Sequence, residues 1–344
     1  MKVSQMVDIG KIAFVEKPIP TPNANEILVK LEYVGICGSD LHYYSKGRIG
    51  NTCVEFPFTL GHEPSGTVVS IGRDVKGFSI GDRVALEPGK TCGHCRYCRE
   101  GLYNLCPNVV FFATPPVQGI FQEYVAHEAK LCFKLPENVS TLEGALIEPL
   151  AVGFQAMEQA NAQPGMRAIV AGAGSIGLVS MMALHANGLR EITVTDVLKN
   201  RLEKAKELGA SSIIFANSQE AERQLHDVTN GEGFDLGIET TGTEEATRQL
   251  IASVRKGATI VLVGYPENGE MRLPISELLD KEITVRTVFR YRNQFPKAIQ
   301  AVSKGDVNLK GIVTRIFELE DLQEAMDASV KDKAFIVKSV VHIG

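Results

Sequence analysis

Two short stretches of the sequence carry side chains of the types that bind metal ions. The segment GICGSDLH begins at residue 35 and contains Cys37, and the segment GHE at 61–63 supplies His62 and Glu63. Thiolate, imidazole and carboxylate are ligands that Zn²⁺ accepts in proteins. Three such ligands leave a fourth position for water or substrate, as a catalytic zinc requires. A single cysteine and histidine also occur as buried core residues, so this interpretation depends on the rest of the chain.

A second set of metal-binding side chains is crowded into fifteen positions, from 92 to 106. Its spacing is C-x2-C-x2-C-x7-C, and its members are Cys92, Cys95, Cys98 and Cys106. Four thiolates can close a tetrahedral zinc site with no open position, which is the arrangement of a structural zinc. An iron–sulfur cluster is the competing interpretation, but its usual run has a shorter last gap. The spacing therefore favours a structural zinc.

A glycine-rich turn predicts a dinucleotide site further along the chain. The motif GAGSIG at 172–177 follows an apolar run and precedes a helical pattern, the context that gives this spacing its meaning. Such glycines let a pyrophosphate approach the backbone and the amino end of the following helix. Asp196 lies about twenty residues beyond the motif, where a carboxylate binds the ribose hydroxyls of NAD. We therefore expect NAD rather than NADP, although Lys199 or Arg201 could in principle accept a phosphate.

Two kinds of fold must position these groups. Up to about residue 150, short apolar runs broken by Pro, Gly and polar turns predict a mostly β domain. From about residue 165, strands and amphipathic helices alternate, which predicts a parallel sheet with helices on both faces. The strands expected in this sheet are 168–171, 191–195, 212–215, 234–238, 259–263 and 283–288. The residues from 289 onward mix helices with a last strand at 335–341, and we expect them to return to the first domain.

Length and composition agree with this organisation. At 344 residues the chain exceeds the size at which one hydrophobic core stops growing, so two domains are expected. The net charge of -5 argues against nucleic-acid binding as the main role. The first ten residues lack the apolar core of a signal peptide, and we expect a cytoplasmic protein. The uncharged segment 168–186 is interrupted by glycines and fits a strand, a turn and a helix better than a membrane span.

In this order, the ligand-type residues, the four-cysteine loop and the dinucleotide motif resemble the zinc-dependent medium-chain dehydrogenase/reductase family. The resemblance runs along essentially the whole chain and is strongest to the polyol branch, the sorbitol and xylitol dehydrogenases. It is carried by GICGSDLHYY and GRIG within 35–50, GHEPSG at 61–66, GALIEPLAVG at 144–153 and VFRY at 288–291.

The fold that the resemblance implies is α/β. It combines a GroES-like β-rich catalytic domain, formed by 1–150 and 290–344, with a Rossmann NAD-binding domain at 151–289. The Rossmann domain is a doubly wound parallel sheet of six strands, and the structural zinc loop at 92–106 belongs to the catalytic domain. In the family the active site lies in the cleft between the two domains.

The resemblance also assigns residues to the catalytic zinc. The metal residues are Cys37, His62, Glu63 and Glu148. Glu148 stands where alcohol dehydrogenases have a second cysteine ligand, and whether Glu63 or Glu148 ligates the zinc directly stays open. Ser39, Glu148 and a zinc-bound water are candidates for the proton relay. His42 could continue this relay toward solvent or serve as a structural hydrogen-bond donor.

The remaining site residues follow in the same way. The residues that match substrate-contacting positions are Tyr43, Glu148, Arg290 and Tyr291. The residues expected to bind the cofactor are Gly172, Gly174, Ser175, Ile176, Gly177, Asp196, Arg201, Val263, Gly264, Tyr265, Val288, Phe289 and Arg290. The four cysteines match the structural zinc loop of the family. As alternatives, Tyr43 could be a core aromatic residue and Arg290 a surface charge.

Together these assignments predict a zinc- and NAD-dependent enzyme of the L-iditol 2-dehydrogenase type, with one catalytic and one structural zinc per chain. It would oxidise a secondary hydroxyl of a polyol to the ketose by hydride transfer. The nearest alternative is a related zinc dehydrogenase acting on L-threonine, 2,3-butanediol or another secondary alcohol. An alternative of another class is a non-catalytic protein that binds zinc and a nucleotide. The resemblance implies a homotetramer, and no nucleic-acid or membrane partner is expected.

Overall fold

The computed structural model describes residues 1–267 and 269–344. In chain order the strands are β1 (Lys2–Asp8), β2 (Lys11–Glu16), β3 (Glu26–Gly35), β4 (Arg48–Ile49), β5 (Thr52–Cys53), β6 (Glu63–Ile71), β7 (Arg83–Leu86), β8 (Gly89–Lys90), β9 (Val110–Phe111), β10 (Tyr124–Glu128), β11 (Cys132–Lys134), β12 (Arg167–Ala171), β13 (Glu191–Asp196), β14 (Ser212–Phe215), β15 (Phe234–Glu239), β16 (Val254–Leu262), β17 (Thr284–Thr287), β18 (Val313–Glu318) and β19 (Lys338–His342).

The α-helices are α1 (Gly38–Lys46), α2 (Arg96–Arg99), α3 (Thr141–Ala145), α4 (Ile147–Gln159), α5 (Ser175–Ala186), α6 (Lys199–Glu207), α7 (Ala221–Val228), α8 (Glu244–Ser253), α9 (Ile275–Asp280), α10 (Phe295–Lys304) and α11 (Leu322–Lys331). Short 3₁₀ helices lie at Tyr103–Leu105, Ala129–Leu131, Lys310–Ile312 and Leu319–Asp321. Among the residues that the structure describes, no helix combines the length and apolar character that crossing a membrane requires.

The chain divides into two compact units. The first unit comprises Met1–Glu148 and Val313–Gly344, and the second is Pro149–Ile312. Residues 290–312 therefore lie in the second unit, whereas the sequence-based boundary placed them with the catalytic domain. The reason is visible at α10, which packs within the second unit: Gln294, at its amino end, donates to Glu158 of α4 at 2.8 Å.

The first unit is built on a mostly antiparallel seven-stranded sheet. Its strand order is β11-β7-β6-β3-β19-β18, and β10 also pairs with β3. Ile27, Val29 and Leu31 alternate along β3 and are fully buried, as expected for a central strand with one face on a core. The strand β19 comes from the far end of the chain and pairs antiparallel with the end of β3, opposite residues 33–35.

The second unit is a six-stranded parallel sheet in the order β14-β13-β12-β15-β16-β17. Numbered within this unit the order is 3-2-1-4-5-6, the arrangement of a Rossmann fold. The six predicted strands are all present, and the predicted fold class is confirmed. The strand order reverses between β12 and β15, and ligands of such sheets bind at the carboxyl ends of the strands beside this switch point.

The apolar segment 168–186 forms a strand, a turn and a helix, as predicted. It consists of most of β12, the glycine-rich turn and all of α5. From Gly177 to Leu184 every residue of α5 is buried. A helix that is apolar on all sides is normally enclosed by protein, and here it contacts the central strands of the sheet.

Candidate functional site

The structure brings three of the predicted metal ligands together in the first unit. One ligand atom each from Cys37, His62 and Glu63 lies within 4.8 Å of the others. The cause is the pairing of two neighbouring strands. Cys37 follows the end of β3, and Glu63 is the first residue of β6. Gly35 of β3 lies opposite Glu63. The three donor types and their separation fit a zinc ion held by one thiolate, one imidazole and one carboxylate.

Asp40, which the sequence analysis did not single out, supports this cluster. It is fully buried, and its two carboxylate oxygens accept hydrogen bonds from the backbone N–H groups of Cys37 at 3.0 Å and Gly61 at 2.9 Å. Its Oδ1 lies 3.7 Å from Nδ1 of His62. Burial would lower the pKa of His62, but the charges of Asp40 and Cys37 raise this pKa well above its usual value. The cluster therefore attracts positive charge, as a cation site must. The C-x-x-D spacing, which is that of a helix capping box, was the available signal.

Lys338 is a second residue that the sequence analysis missed. Its Nζ lies 2.7 Å from Oε1 and 2.5 Å from Oε2 of Glu63, and it donates to the carbonyl oxygen of Ile36 at 2.9 Å. The side chains of the pair are only 3% and 1% exposed. Burial would lower the pKa of Lys338, but the charge of Glu63 raises it above its usual value. Both oxygens of Glu63 thus lie close to an ammonium, and one of them also lies within 4.8 Å of the ligand atoms of Cys37 and His62.

The other residues predicted for the chemical step lie on α1 and at the start of α4. Glu148, at the start of α4, is 7% exposed, and its charge also contributes to the raised pKa of Lys338. Ser39 is half-buried and His42 is exposed, both on α1. Tyr43 is 5% exposed and lies in the core of the first unit, with its ring centroid 6.3 Å from that of Phe58.

The four predicted structural zinc ligands also converge. One ligand atom from each of the four cysteines of the 92–106 loop lies within 4.8 Å of the others. The Sγ of Cys92 is 4.0 Å from that of Cys98 and 3.6 Å from that of Cys106. A zinc–sulfur bond of about 2.3 Å in a tetrahedron places the sulfur atoms about 3.8 Å apart. Hydrogen bonds from the backbone N–H groups of His94 and Cys95 lower the pKa of Cys92, which favours its thiolate form, whereas burial and hydrogen bonds with the neighbouring thiols raise the pKa of Cys95.

The second unit contains a cavity of about 530 Å³ at the carboxyl ends of its strands. Its lining includes Gly172, Gly174, Asp196, Arg201 and Thr240. A Cβ at Gly177 would collide with the carbonyl oxygen of Gly172, so the close contact of turn and helix requires glycine. The glycine-rich turn leads into the amino end of α5, and in folds of this kind a pyrophosphate binds there.

Asp196 holds the glycine-rich turn as well as facing the cavity. Its Oδ2 accepts a hydrogen bond from the N–H of Ala173 at 2.7 Å, and its Oδ1 accepts one from Leu198 at 2.8 Å. Each carboxylate oxygen keeps a second lone pair for a ribose hydroxyl. Arg201 lies nearby: burial lowers its pKa, and the charge of Asp196 opposes that shift.

The remaining predicted cofactor residues follow strands β16 and β17. Residues 263–265 come directly after β16 and 288–290 directly after β17, at the same edge of the sheet as the glycine-rich turn. Arg290 has a φ of 57°, a left-handed conformation that is uncommon outside glycine and that recurs at functional sites. Its guanidinium lies 4.8 Å from the ring centroid of Phe289. Tyr291 is 3% exposed and its ring centroid is 5.6 Å from that of Phe295.

Known proteins resemble the chain over both units. The family model Alcohol dehydrogenase GroES-like domain matches residues 23–137, and Zinc-binding dehydrogenase matches 175–304. A sorbitol dehydrogenase of Bacillus subtilis is 43% identical over 99% of this chain and 97% of its own length. A sorbitol dehydrogenase of Bos taurus is 42% identical over 94% of this chain and 91% of its own. An Escherichia coli oxidoreductase/dehydrogenase of unknown specificity has a crystal structure that matches with a TM-score of 0.96 and 39% identity, over 100% of this chain and 99% of that one.

Proposed function

Because the chain belongs to the zinc-dependent medium-chain dehydrogenase/reductase family, in its polyol dehydrogenase branch, we propose that its substrate is a polyol of the sorbitol, xylitol or L-iditol type. The chain is an oxidoreductase that uses zinc and NAD. Its reaction oxidises a secondary hydroxyl to the ketone of a ketose, and the hydride passes to NAD⁺. The observation that carries this proposal is the thiolate, imidazole and carboxylate cluster of the first unit, in a chain so similar to sorbitol dehydrogenases.

Cys37, His62 and Glu63 hold the catalytic zinc in this proposal, and the four cysteines of the 92–106 loop hold the structural one. Zinc, when bound, makes a hydroxyl at its open position more acidic, and NAD⁺ accepts the hydride. Asp40 orients the imidazole of His62, as carboxylates behind metal-bound histidines do. Lys338 balances the negative charge that Cys37 and Glu63 bring into a buried site.

The contacts of Lys338 give Glu63 and Glu148 different roles. Both oxygens of Glu63 contact the ammonium, which reduces the negative charge that this carboxylate can offer to a metal. Glu148 then supplies a further carboxylate, directly or through a water molecule, and can accept the substrate proton. Ser39 and His42 lie three residues apart on α1 and therefore on one face of the helix. They continue the relay from a half-buried to an exposed position.

In the second unit, the glycine-rich turn and Asp196 bind the pyrophosphate and ribose of NAD. The carboxylate repels a 2′-phosphate, which favours NAD over NADP. Arg201 and the segments 263–265 and 288–290 complete the cofactor site, and Tyr43, Glu148, Arg290 and Tyr291 contact the polyol. The left-handed backbone of Arg290 supports this role, because such strain persists where a side chain must be aimed.

A homotetramer and a cytoplasmic location complete the proposal. All four residues of the edge strand β17 are exposed, and Ile275 and Leu279 of the preceding helix are 58% and 71% exposed. An unpaired edge with apolar neighbours is suited to pairing with a second copy of the chain. The seven cysteines are free, and thiols persist in the reducing cytoplasm.

The proposal is tested by measuring NADH formation over a panel of polyols and simple secondary alcohols, with and without a chelator. We expect turnover with sorbitol, xylitol or L-iditol that disappears when zinc is removed and returns when it is restored. Turnover confined to L-threonine or 2,3-butanediol would contradict the assignment of a polyol as the substrate. Tight NADH binding without turnover of any alcohol would indicate the non-catalytic alternative.

A further inference from the structure

Glu239 is a fully buried carboxylate at the carboxyl end of β15. Its Oε1 accepts hydrogen bonds from the backbone N–H groups of Thr241 at 2.6 Å and Gly242 at 3.0 Å, and from the hydroxyl of Thr241. Burial raises the pKa of this carboxyl, and the same hydrogen bonds oppose the shift. Burial disfavours the ionised form of a carboxyl, so the hydrogen bonds to Glu239 are what hold its carboxylate in place.

The hydrogen bonds of Glu239 converge on two loops at the dinucleotide cavity. The loop 240–243 follows β15, and three of its threonines line the cavity together with the glycine-rich turn. The loop 263–265 follows β16, and it begins with Val263 and Gly264, whose N–H groups donate to the carbonyl oxygen of Glu239 at 2.8 and 3.1 Å. One residue thus binds both loops, through its side chain and its backbone.

The two loops are in close contact with each other and with the glycine-rich turn. A Cβ at Gly264 would lie 2.7 Å from Oε2 of Glu239 and 2.8 Å from Cα of Gly242, so this contact requires glycine. The hydroxyl of Thr240 donates to the carbonyl oxygen of Ala171 at 2.8 Å, at the start of the glycine-rich turn. A shift of the loop 240–243 would therefore be transmitted to the backbone that faces the pyrophosphate.

We propose that Glu239 is a positioning residue for the dinucleotide, and that its carboxylate fixes the loop 240–243 beside the loop 263–265 in the arrangement that binds NAD. From the proposed function, this inference takes only that the cofactor is NAD. It does not depend on the polyol or on the metal ligands.

The test is the substitution Glu239→Gln, which replaces one acceptor oxygen by an NH₂ group facing backbone N–H donors. Because charged acceptors bind more strongly than neutral ones, we expect the Kd for NADH and the KM for NAD to rise by about tenfold or more. At saturating NAD, kcat should stay within about twofold of the wild type, because the hydrogen bonds lost are not at the reacting atoms. The Tm should change little, because the substitution removes a buried charge and also weakens the hydrogen bonds to that carboxyl, two effects of opposite sign.

The matched control is Asp235→Asn, in the same strand. The carboxylate of Asp235 accepts from the N–H of Arg167 and from the guanidinium of Arg255, each at 2.7 Å, at the amino end of β15. Burial would raise the pKa of Asp235, but these contacts lower it below its usual value, so this control should lower the Tm and leave NADH affinity unchanged. We therefore expect Glu239→Gln to lose NADH affinity without losing stability, and Asp235→Asn to lose stability without losing NADH affinity.

Calorimetric titration of each variant with NADH alone, in the zinc-loaded protein, gives the result without any polyol. A failure of the substrate assignment would therefore leave this test intact. A second variant, Gly264→Ala, keeps the carboxylate but separates the loops, and it should weaken NADH binding in the same way. Wild-type affinity in Glu239→Gln, equal loss of affinity in the control, or an unfolded Glu239→Gln protein would each overturn the proposal.

Discussion

Replacing Lys338 by methionine keeps the length of the side chain and removes the ammonium that both oxygens of Glu63 contact. The Glu63 carboxylate, only 1% exposed, is then buried without this counter-charge, and the carbonyl oxygen of Ile36 loses a hydrogen bond. Removing one partner of a buried ion pair typically costs about 3–5 kcal/mol. For a unit of this size that corresponds to a fall in Tm of roughly 6–20 °C.

The assay is scanning calorimetry on the zinc-loaded and the chelated protein. A bound zinc ion places positive charge beside Glu63, so the loss of stability should be larger after chelation. Lys338→Arg keeps the charge and should retain most of the stability. The double variant Glu63→Gln/Lys338→Met removes the carboxylate charge as well, and should recover a large part of the loss. A fall in Tm below about 2 °C in the chelated single variant, or a double variant no more stable than the single one, would refute the reasoning.

Three further predictions concern the two sites and the fold. Cys37→Ser or His62→Ala should abolish turnover and leave the calorimetric Kd for NADH nearly unchanged, and an equal loss of both would indicate misfolding instead. Asp196→Ala should raise the KM for NAD by about tenfold or more and reduce the preference for NAD over NADP. The variant loses the ribose contacts and a hydrogen bond that anchors the glycine-rich turn at Ala173. An unchanged NAD/NADP ratio of kcat/KM would contradict this. Burial raises the pKa of Glu87 from 4.5 to about 7. The folded protein therefore binds this proton more tightly than the unfolded chain does. The free energy of unfolding should fall by about 3 kcal/mol as the pH rises from 4.5 through 7. Glu87→Gln should remove that part of the pH dependence in urea unfolding, and an unchanged slope would show that Glu87 does not cause it.

The features that could be predicted from the sequence are those whose residues lie close together along the chain. The four-cysteine loop and the glycine-rich turn are complete within a few residues, and the structure places each in the expected setting. The parallel sheet was also predictable, because each strand is a short apolar run between helical patterns. The order of those strands then follows the common Rossmann arrangement.

What the sequence did not predict depends on contacts between distant parts of the chain. Lys338 contacts Glu63 across 275 residues, and the only local sign was a lysine inside the apolar run 335–341. The placement of 290–312 depends on which surface α10 covers, and its amphipathic pattern does not identify that surface. Glu239 ends a buried strand, and its importance is visible only when two separate loops close around it.

The pairing of β19 with β3 has a consequence for how the protein is made. The strand that carries Lys338 leaves the ribosome after the whole second unit, although it belongs beside residues 33–35. During synthesis the second unit leaves the ribosome before β19, so the carboxylate of Glu63 lacks the ammonium of Lys338 until β19 pairs with β3. The buried charge of Glu63 is therefore balanced by Lys338 only when the last strand of the first unit docks.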